Sequence, residues 1–327
     1  MSKKTIITGI FGQDGSYLCE LLFRKGYDVY GIVRKELSCD SLCIQGYLRK
    51  NGIIPKTIAV ELDDFNSLKN LLIEINPDEI YHLAASHISS QGFKDSDNEK
   101  VLFESNVLAT SNILFICNKY LKHTKIVLAG SCLMFDGSNT TIQNEETPFE
   151  SNSLYGLAKI TEHSLVKYYR NRNLHVSMAI LYNHESPRRK ADFVTRKIVS
   201  SMVAIREGKL DTFILGDINI KKDWGFAGDY VHGMYLMLQQ DCPDDYILSS
   251  GELHSISEIV EICASNLKIN NWESHIHIDS SILDRKIKNR LFGECVKAQK
   301  KLGWRKAVGF YELISLLIEA ELNKEFY

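Results

Sequence analysis

Neither sign of charge dominates this chain: 39 lysines and arginines face 41 aspartates and glutamates, a formal net charge of −2. Nucleic-acid binders ordinarily carry a basic surplus, so no nucleic-acid partner is expected. Long apolar runs are missing too. None reaches the ~20 residues that cross a bilayer, and no basic-then-apolar leader opens the chain. No membrane partner is expected, and the expected compartment is the cytoplasm. Internal repeats, low-complexity segments and Gly/Ser linkers are also lacking. The eight cysteines (Cys19, Cys39, Cys43, Cys117, Cys132, Cys242, Cys263, Cys295) stand singly. The nearest pair, Cys39 and Cys43, has no second pair or histidine pair to complete a zinc site, so no metal is expected. Cysteines inside apolar stretches should act as small reduced hydrophobes. His275 and His277 alternate on a strand-like run, which suits a half-exposed sheet face better than a metal site. The chain is 44% hydrophobic and 24% charged over 327 residues, enough for one large domain or two closely joined ones.

The most informative stretch runs from Thr5 to Arg34. It reads as a buried strand, a turn holding Gly9, Gly12, Gln13, Asp14 and Gly15, an amphipathic helix, and a second strand. The three glycines allow a tight turn, close backbone approach to a pyrophosphate, and close packing of helix on strand. The helix then points its first N–H groups at the phosphates. Strand-like runs follow in alternation with helical patterns: Lys4–Thr8, Asp28–Val33, Thr57–Val60, Glu79–Leu83, Lys125–Ala129 and His175–Leu181, with helices clearest at Phe65–Ile75, Ser105–Leu121 and Gly156–Arg170. Such alternation predicts an α/β fold, a Rossmann-type doubly wound parallel sheet over 1–181. Ligands then bind beyond the carboxyl ends of the strands, where Leu83 sits. After Leu181 the rhythm breaks. Helices at Phe193–Glu207, Ser255–Leu267 and Gly309–Leu322 suggest a smaller α/β substrate-binding lobe over 182–327, with the elements around 229–249 returning to the sheet.

Tyr155 and Lys159 stand four apart on one helix face. An ammonium beside a phenol favours the phenolate, which can take a hydroxyl proton while hydride leaves the same carbon. Ser131, at the carboxyl end of the strand Lys125–Ala129, can hydrogen-bond the reacting oxygen. Together the three form a candidate catalytic set.

Here the chain resembles the extended short-chain dehydrogenase/reductase superfamily, and within it GDP-mannose 4,6-dehydratase and related GDP-sugar enzymes. The resemblance runs nearly end to end. It rests on Gly9…Gly12-Gln13-Asp14-Gly15-Ser16-Tyr17, Asn76-Pro77-Asp78, Asn183-His184-Glu185-Ser186-Pro187-Arg188-Arg189, Phe193-Val194-Thr195-Arg196-Lys197, Asp223-Trp224-Gly225 and Leu302-Gly303-Trp304. It implies that Asn183, Val194 and Lys197 line a guanine-nucleotide pocket, and that Lys222 and Arg285 meet the diphosphate and ribose. The family usually has arginine in place of Lys222, and Lys288 stands near the place of a family glutamate. Arg188, Arg189, Arg196 and Lys197 follow the last strand and suggest anion binding rather than a solvated basic surface. For the cofactor, Gly9, Gly12, Gln13, Asp14, Gly15, Arg34, Glu61, Leu62, Leu83, Tyr155 and Lys159 are the candidates. Arg34, where an acid would mark NAD, leans the expectation slightly towards NADP. The resemblance also implies a homodimer or homotetramer through Ser105–Leu121 and Gly156–Arg170.

One departure decides the functional expectation. The resembled dehydratases carry a proton-moving glutamate where this chain has Leu133, in Ser131-Cys132-Leu133-Met134-Phe135-Asp136. Oxidation at C4 needs only Tyr155, Lys159, Ser131 and the cofactor, whereas loss of water needs more. An extended segment would turn Cys132 away from the site, and Asp136 is expected to start a turn with Gly137. The expected activity is therefore NAD(P)-dependent oxidation at C4 of a GDP-linked hexose or heptose, without dehydration. The dehydratase, a 4-keto reductase or epimerase, and a non-catalytic nucleotide-sugar sensor or scaffold are the alternatives.

Overall fold

A computed structural model describes residues 2–85, 96–279 and 291–326, and the side chains of all but 96–100 among them. The first part alternates without a break: β1 (Lys4–Thr8), α1 (Gln13–Arg24), β2 (Asp28–Val33), α2 (Cys39–Lys50), β3 (Lys56–Ala59), α3 (Phe65–Ile75), β4 (Glu79–His82), α4 (Ser96–Tyr120), β5 (Lys125–Ala129), α5 (Leu154–Arg170) and β6 (Val176–Leu181). There follow β7 (Asn183–Glu185), α6 (Val194–Arg206), β8 (Phe213–Leu215), β9 (Lys221–Phe226), α7 (Ala227–Leu238) and β10 (Tyr246–Leu248). The chain closes with β11 (Leu253–Ser255), α8 (Ile256–Leu267), β12 (Ile276–Ile278), α9 (Val296–Leu302) and α10 (Phe310–Leu322).

Seven strands form one parallel sheet in the order β10-β6-β5-β4-β1-β2-β3. Its central strands are apolar on both faces; every residue of β6 is buried, as a sheet covered by helices on each side requires. The strand order reverses at β1, which has β2 on one side and β4 on the other. The crevice between the carboxyl ends of β1 and β4 is thus the ligand-binding position of a doubly wound sheet. Thr8 clamps it: its Oγ1 accepts the N–H groups of Leu83 (3.1 Å) and Ala84 (3.0 Å) and meets His82 Nδ1 at 2.8 Å.

A second core lies among α6, α8 and α10, built from Met202, Trp224, Ile259, Phe310 and Leu317. Two short sheets accompany it, β11-β9-β7 and β12-β8. Their strands are short or polar, so period-two patterning leaves β7, β9 and β11 unread; β8 and β12, the latter in the run holding His275 and His277, are legible. The segment Glu36–Asn51, for which the sequence suggests no role, contains α2. Ser38 caps it by accepting the Ser41 N–H; Ile44 and Leu48 are buried and Tyr47 packs against the same core. In α4, Val101–Tyr120 has a mean hydropathy of 1.2, long and apolar enough by length and composition to cross a membrane. A search for uninterrupted apolar runs does not register it, because polar residues punctuate it. Half of that window (50%) is buried in the protein, and α4 packs on α3 and α5.

Candidate active site

The turn after β1 has the shape its glycines predict. Gly9 adopts φ +71°, and a Cβ there would meet the Ala84 backbone at 3.1 Å. A Cβ on Gly15 would lie 2.2 Å from Gly9 O and 2.7 Å from Ile10 Cα, so only glycine lets α1 press this closely on β1. At Gly12 a Cβ would press on Gly9 O at 3.1 Å and meet nothing else within 4 Å. No side chain caps the start of α1, and its first N–H groups are left for an anion.

Gln13 and Asp14 are also engaged across the cleft. Gln13 Nε2 donates to His184 O (3.1 Å), and Ser186 Oγ donates to Gln13 Oε1 (2.9 Å). His184 Nε2 sits 2.9 and 3.0 Å from the two Asp14 oxygens. Burial alone would raise the Asp14 carboxyl; His184 and then Arg189 more than offset it and hold it low. A carboxylate beside a pyrophosphate position is therefore matched by cations. On the far side, β2 and β3 end together, Val60 N–H donating to Val33 O (3.2 Å). Arg34 and Glu61 are exposed at these two ends and Leu62 is half-buried. Asn112 of α4 holds the Leu62 carbonyl at 3.0 Å. Leu83 is half-buried just past β4.

Ser131 follows β5 in extended conformation and its Oγ accepts the Leu133 N–H at 3.2 Å, starting a 3-10 turn over Cys132–Phe135. Ser153 caps α5 by accepting the Gly156 N–H (3.1 Å). That places Tyr155 in the first turn, with Lys159 Nζ 5.7 Å from its ring centroid. The neighbouring Gly156 is what lets the two segments meet. A Cβ there would fall 2.3 Å from Leu133 O and 2.0 Å from Ser151 Oγ, and forced overpacking of this kind typically costs ~1–3 kcal/mol.

Three expectations need correction here. First, the lysine does not bring Tyr155 down. Burial is the larger influence and raises the phenol, with Lys159 pulling the other way. Lys159 is itself paired with Glu162 at 3.0 Å, a carboxylate that the sequence reading overlooked although it lies three residues along the same helix face. Second, Cys132 is not on an extended segment, so strand alternation cannot explain its position; the 3-10 turn buries it with Met134 and Phe135 and leaves Leu133 half-exposed. Burial pushes the Cys132 thiol up to about 12, which keeps it protonated. Third, Arg188 and Arg196 are neither a solvated surface nor open to an anion. Arg188 is buried between the rings of Tyr17 (3.9 Å) and Tyr47 (4.8 Å) and pairs with Glu20 at 2.6 Å. Arg196 donates to Pro187 O (2.6 Å) and pairs with Glu321 (3.2 Å). Arg189 stacks on Phe193 (3.5 Å), and its charge reaches both Asp14 and Tyr155. Asp136 binds the Asn152 N–H while Gly137 N–H donates to Glu150 O (2.8 Å), a turn as expected.

The second part of the chain supplies the other wall. Asn183 Nδ2 donates to Asp223 O at 3.3 Å across the β7–β9 pair. Val194 opens α6, and Lys197, one turn on, donates to Ile214 O (2.8 Å). Lys222 on β9 is half-buried; burial lowers its pKa, with Cys132 and Glu185 acting in the opposite direction. Arg285 and Lys288 lie outside the described residues.

A sequence profile described as GDP-mannose 4,6 dehydratase matches residues 6–317. The chain is 36% identical over 333 residues to GDP-mannose 4,6 dehydratase 1 of Arabidopsis thaliana, spanning 98% of this chain and 90% of that protein. Over 346 residues it is 36% identical to GDP-mannose 4,6 dehydratase of Homo sapiens, spanning 97% and 91%. Among solved structures, dTDP-glucose 4,6-dehydratase from Bacillus anthracis in complex with NAD matches with a TM-score of 0.84 at 19% identity, covering 100% of this chain and 99% of that one. UDP-glucuronic acid 4-epimerase from Bacillus cereus, in complex with UDP-glucuronic acid and NAD, gives 0.84 at 19% identity, over 98% and 99%. At these identities the structural likeness speaks for the fold.

Proposed function

This chain belongs to the GDP-mannose 4,6 dehydratase family, and from that premise we propose that it oxidises a GDP-linked hexose or heptose at C4 and stops at the 4-keto sugar. The carrying observation is Leu133: it is the half-exposed member of the turn beside Tyr155, at the place the resemblance gives to the dehydratases' glutamate. A nicotinamide dinucleotide would be held by the Gly9–Gly15 turn, whose missing side chains fit a close-lying pyrophosphate, and when bound it supplies the hydride acceptor. Tyr155, as phenolate, takes the C4 hydroxyl proton; Ser131 donates a hydrogen bond to that oxygen; Lys159 steadies the charge on the tyrosine. The sugar thereby loses one proton and one hydride, and no C–O bond breaks.

Removing water at C6 would require a further proton carrier. An isobutyl group cannot serve, and general acid–base help is typically worth ~10²–10⁴-fold. The experiment is mass analysis of the product from GDP-mannose or a GDP-heptose with added cofactor. Loss of two hydrogens is expected; loss of water by the unmodified protein would overturn the reading. The second reading, dehydration, is favoured by the names of the relatives.

Arg34, exposed where an acid would bind ribose hydroxyls, favours NADP over NAD. Arg34→Ala is expected to weaken NADP⁺ binding by about 10–100-fold, the worth of a lost charged hydrogen bond, and to leave NAD⁺ nearly untouched in a fluorescence titration. Equal losses for both would refute that preference. Asn183, Val194, Lys197, Lys222 and Arg285 remain the proposed nucleotide-sugar contacts, with Arg189 added as a cation whose charge reaches both Asp14 and Tyr155. With such a substrate and cofactor, a cytoplasmic enzyme is the reading we propose. The outer faces of α4 and α5 expose Leu108, Phe115, Leu157 and Tyr168, apolar area suited to a homodimer through a four-helix bundle. A monomer mass by light scattering would exclude it.

A further inference from the structure

Lys159 Nζ lies 3.0 Å from Glu162 Oε2, and both side chains are nearly sealed, at 4% and 1% exposure. The carboxylate is poorly provided for as a structural group. Its other oxygen, Oε1, has no hydrogen-bond partner among the described residues, and a buried ion pair is weak support for stability. Its position gives it an electrostatic consequence instead. The ammonium that would favour a Tyr155 phenolate already has a counter-charge, so ionising the phenol would leave the buried trio with net negative charge. The surroundings are mostly neutral. Burial raises the Glu162 carboxyl; Lys159, and after it the neutral Thr110 hydroxyl from α4, work against that. His82 from β4 faces Lys159, but burial, followed by Lys159, brings it down to about 3, so it is neutral. Cys132 faces Tyr155 as a thiol, and Arg189, a further cation acting on the phenol, is itself paired with Glu185 at 3.5 Å. Burial would discharge Lys159, yet Glu162 and then Tyr155 hold the ammonium above its ordinary range.

We propose that Glu162 is a positioning residue for the redox step: by neutralising Lys159 it keeps Tyr155 protonated in the resting site and displaces the oxidation to alkaline pH. The same bias supplies a ready proton donor for the reverse reaction, reduction of a 4-keto sugar. This rests on the reading of Tyr155 as the proton acceptor, so the decisive measurement is one that needs no turnover.

Phenolate absorbance is followed through a pH titration, and the curve of Tyr155→Phe is subtracted to isolate Tyr155 from the other tyrosines. Glu162→Gln keeps the shape and removes the charge; it is expected to raise the phenolate fraction at a given pH about tenfold, as loss of a near like charge does. The ascending limb of the rate profile for oxidation of GDP-mannose with NADP⁺ should move to lower pH in step. Glu162→Asp, which retains the charge, should restore the original midpoint. If the glutamine variant does not fold, Glu162→Ala carries the same expectation. A midpoint that stays put in a folded glutamine or alanine variant overturns the proposal, as does an aspartate variant displaced as far as the glutamine one. If no variant and no parent turns over, the functional reading fails while the titration still decides the role of Glu162.

Discussion

Exchanging Tyr155 for phenylalanine is expected to cut C4 oxidation by about 10²–10⁴-fold, the usual worth of a positioned proton acceptor, while dinucleotide binding stays within a few-fold. The ring is kept, so the packing of α5 against the 3-10 turn is undisturbed. The Lys159–Glu162 pair also remains, since it does not involve the phenolic oxygen. What is lost is the atom that receives the hydroxyl proton, and Ser131 cannot replace it, because an alcohol is too weak a base at neutral pH. Formation of reduced nicotinamide measures the rate, and a fluorescence titration measures binding. Equal loss of both would mean that Tyr155 supports the cofactor site rather than the chemistry. A biological role that survives the substitution would favour a nucleotide-sugar sensor or scaffold.

Leu133→Glu is expected to open the dehydration route, raising water loss relative to simple oxidation by about 10²–10⁴-fold. The site can accept a carboxylate there. Cys132, Met134 and Phe135 are buried in the same turn, but Leu133 is half-exposed, so an acid would keep contact with water and avoid the cost of a sealed charge. Its backbone is already pinned, the N–H by Ser131 Oγ and the carbonyl against Gly156, so the new side chain starts from a defined position. Product mass distinguishes the outcomes. A variant that still oxidises but never loses water would show that Leu133 is not what withholds the elimination.

Much of the sheet could be read before the fold was known because the signals are local. Lys4–Thr8, Asp28–Val33 and Lys125–Ala129 are strands in both readings, and the remaining strands of the alternating part differ by single residues at their ends. The glycine turn was equally legible, since backbone freedom at Gly9 and the want of a side chain at Gly15 are demands made within a few residues. β7, β9 and β11 escaped notice because two of them are only three residues long and the third, Lys221–Phe226, opens on charged residues.

By itself the amino-acid order determined the alternation of strand and helix, the glycine turn, the Tyr155–Lys159 spacing and the leucine at 133, all of them features of neighbouring residues. Only the tertiary structure decided what those groups experience. Arg188 meets Glu20 across 168 positions of chain, Arg196 is taken by Glu321, and burial outweighs Lys159 at Tyr155. Periodicity and turn chemistry act along the chain, whereas desolvation and ion pairing depend on which distant segments pack together; a charge acquires its role when its partners arrive.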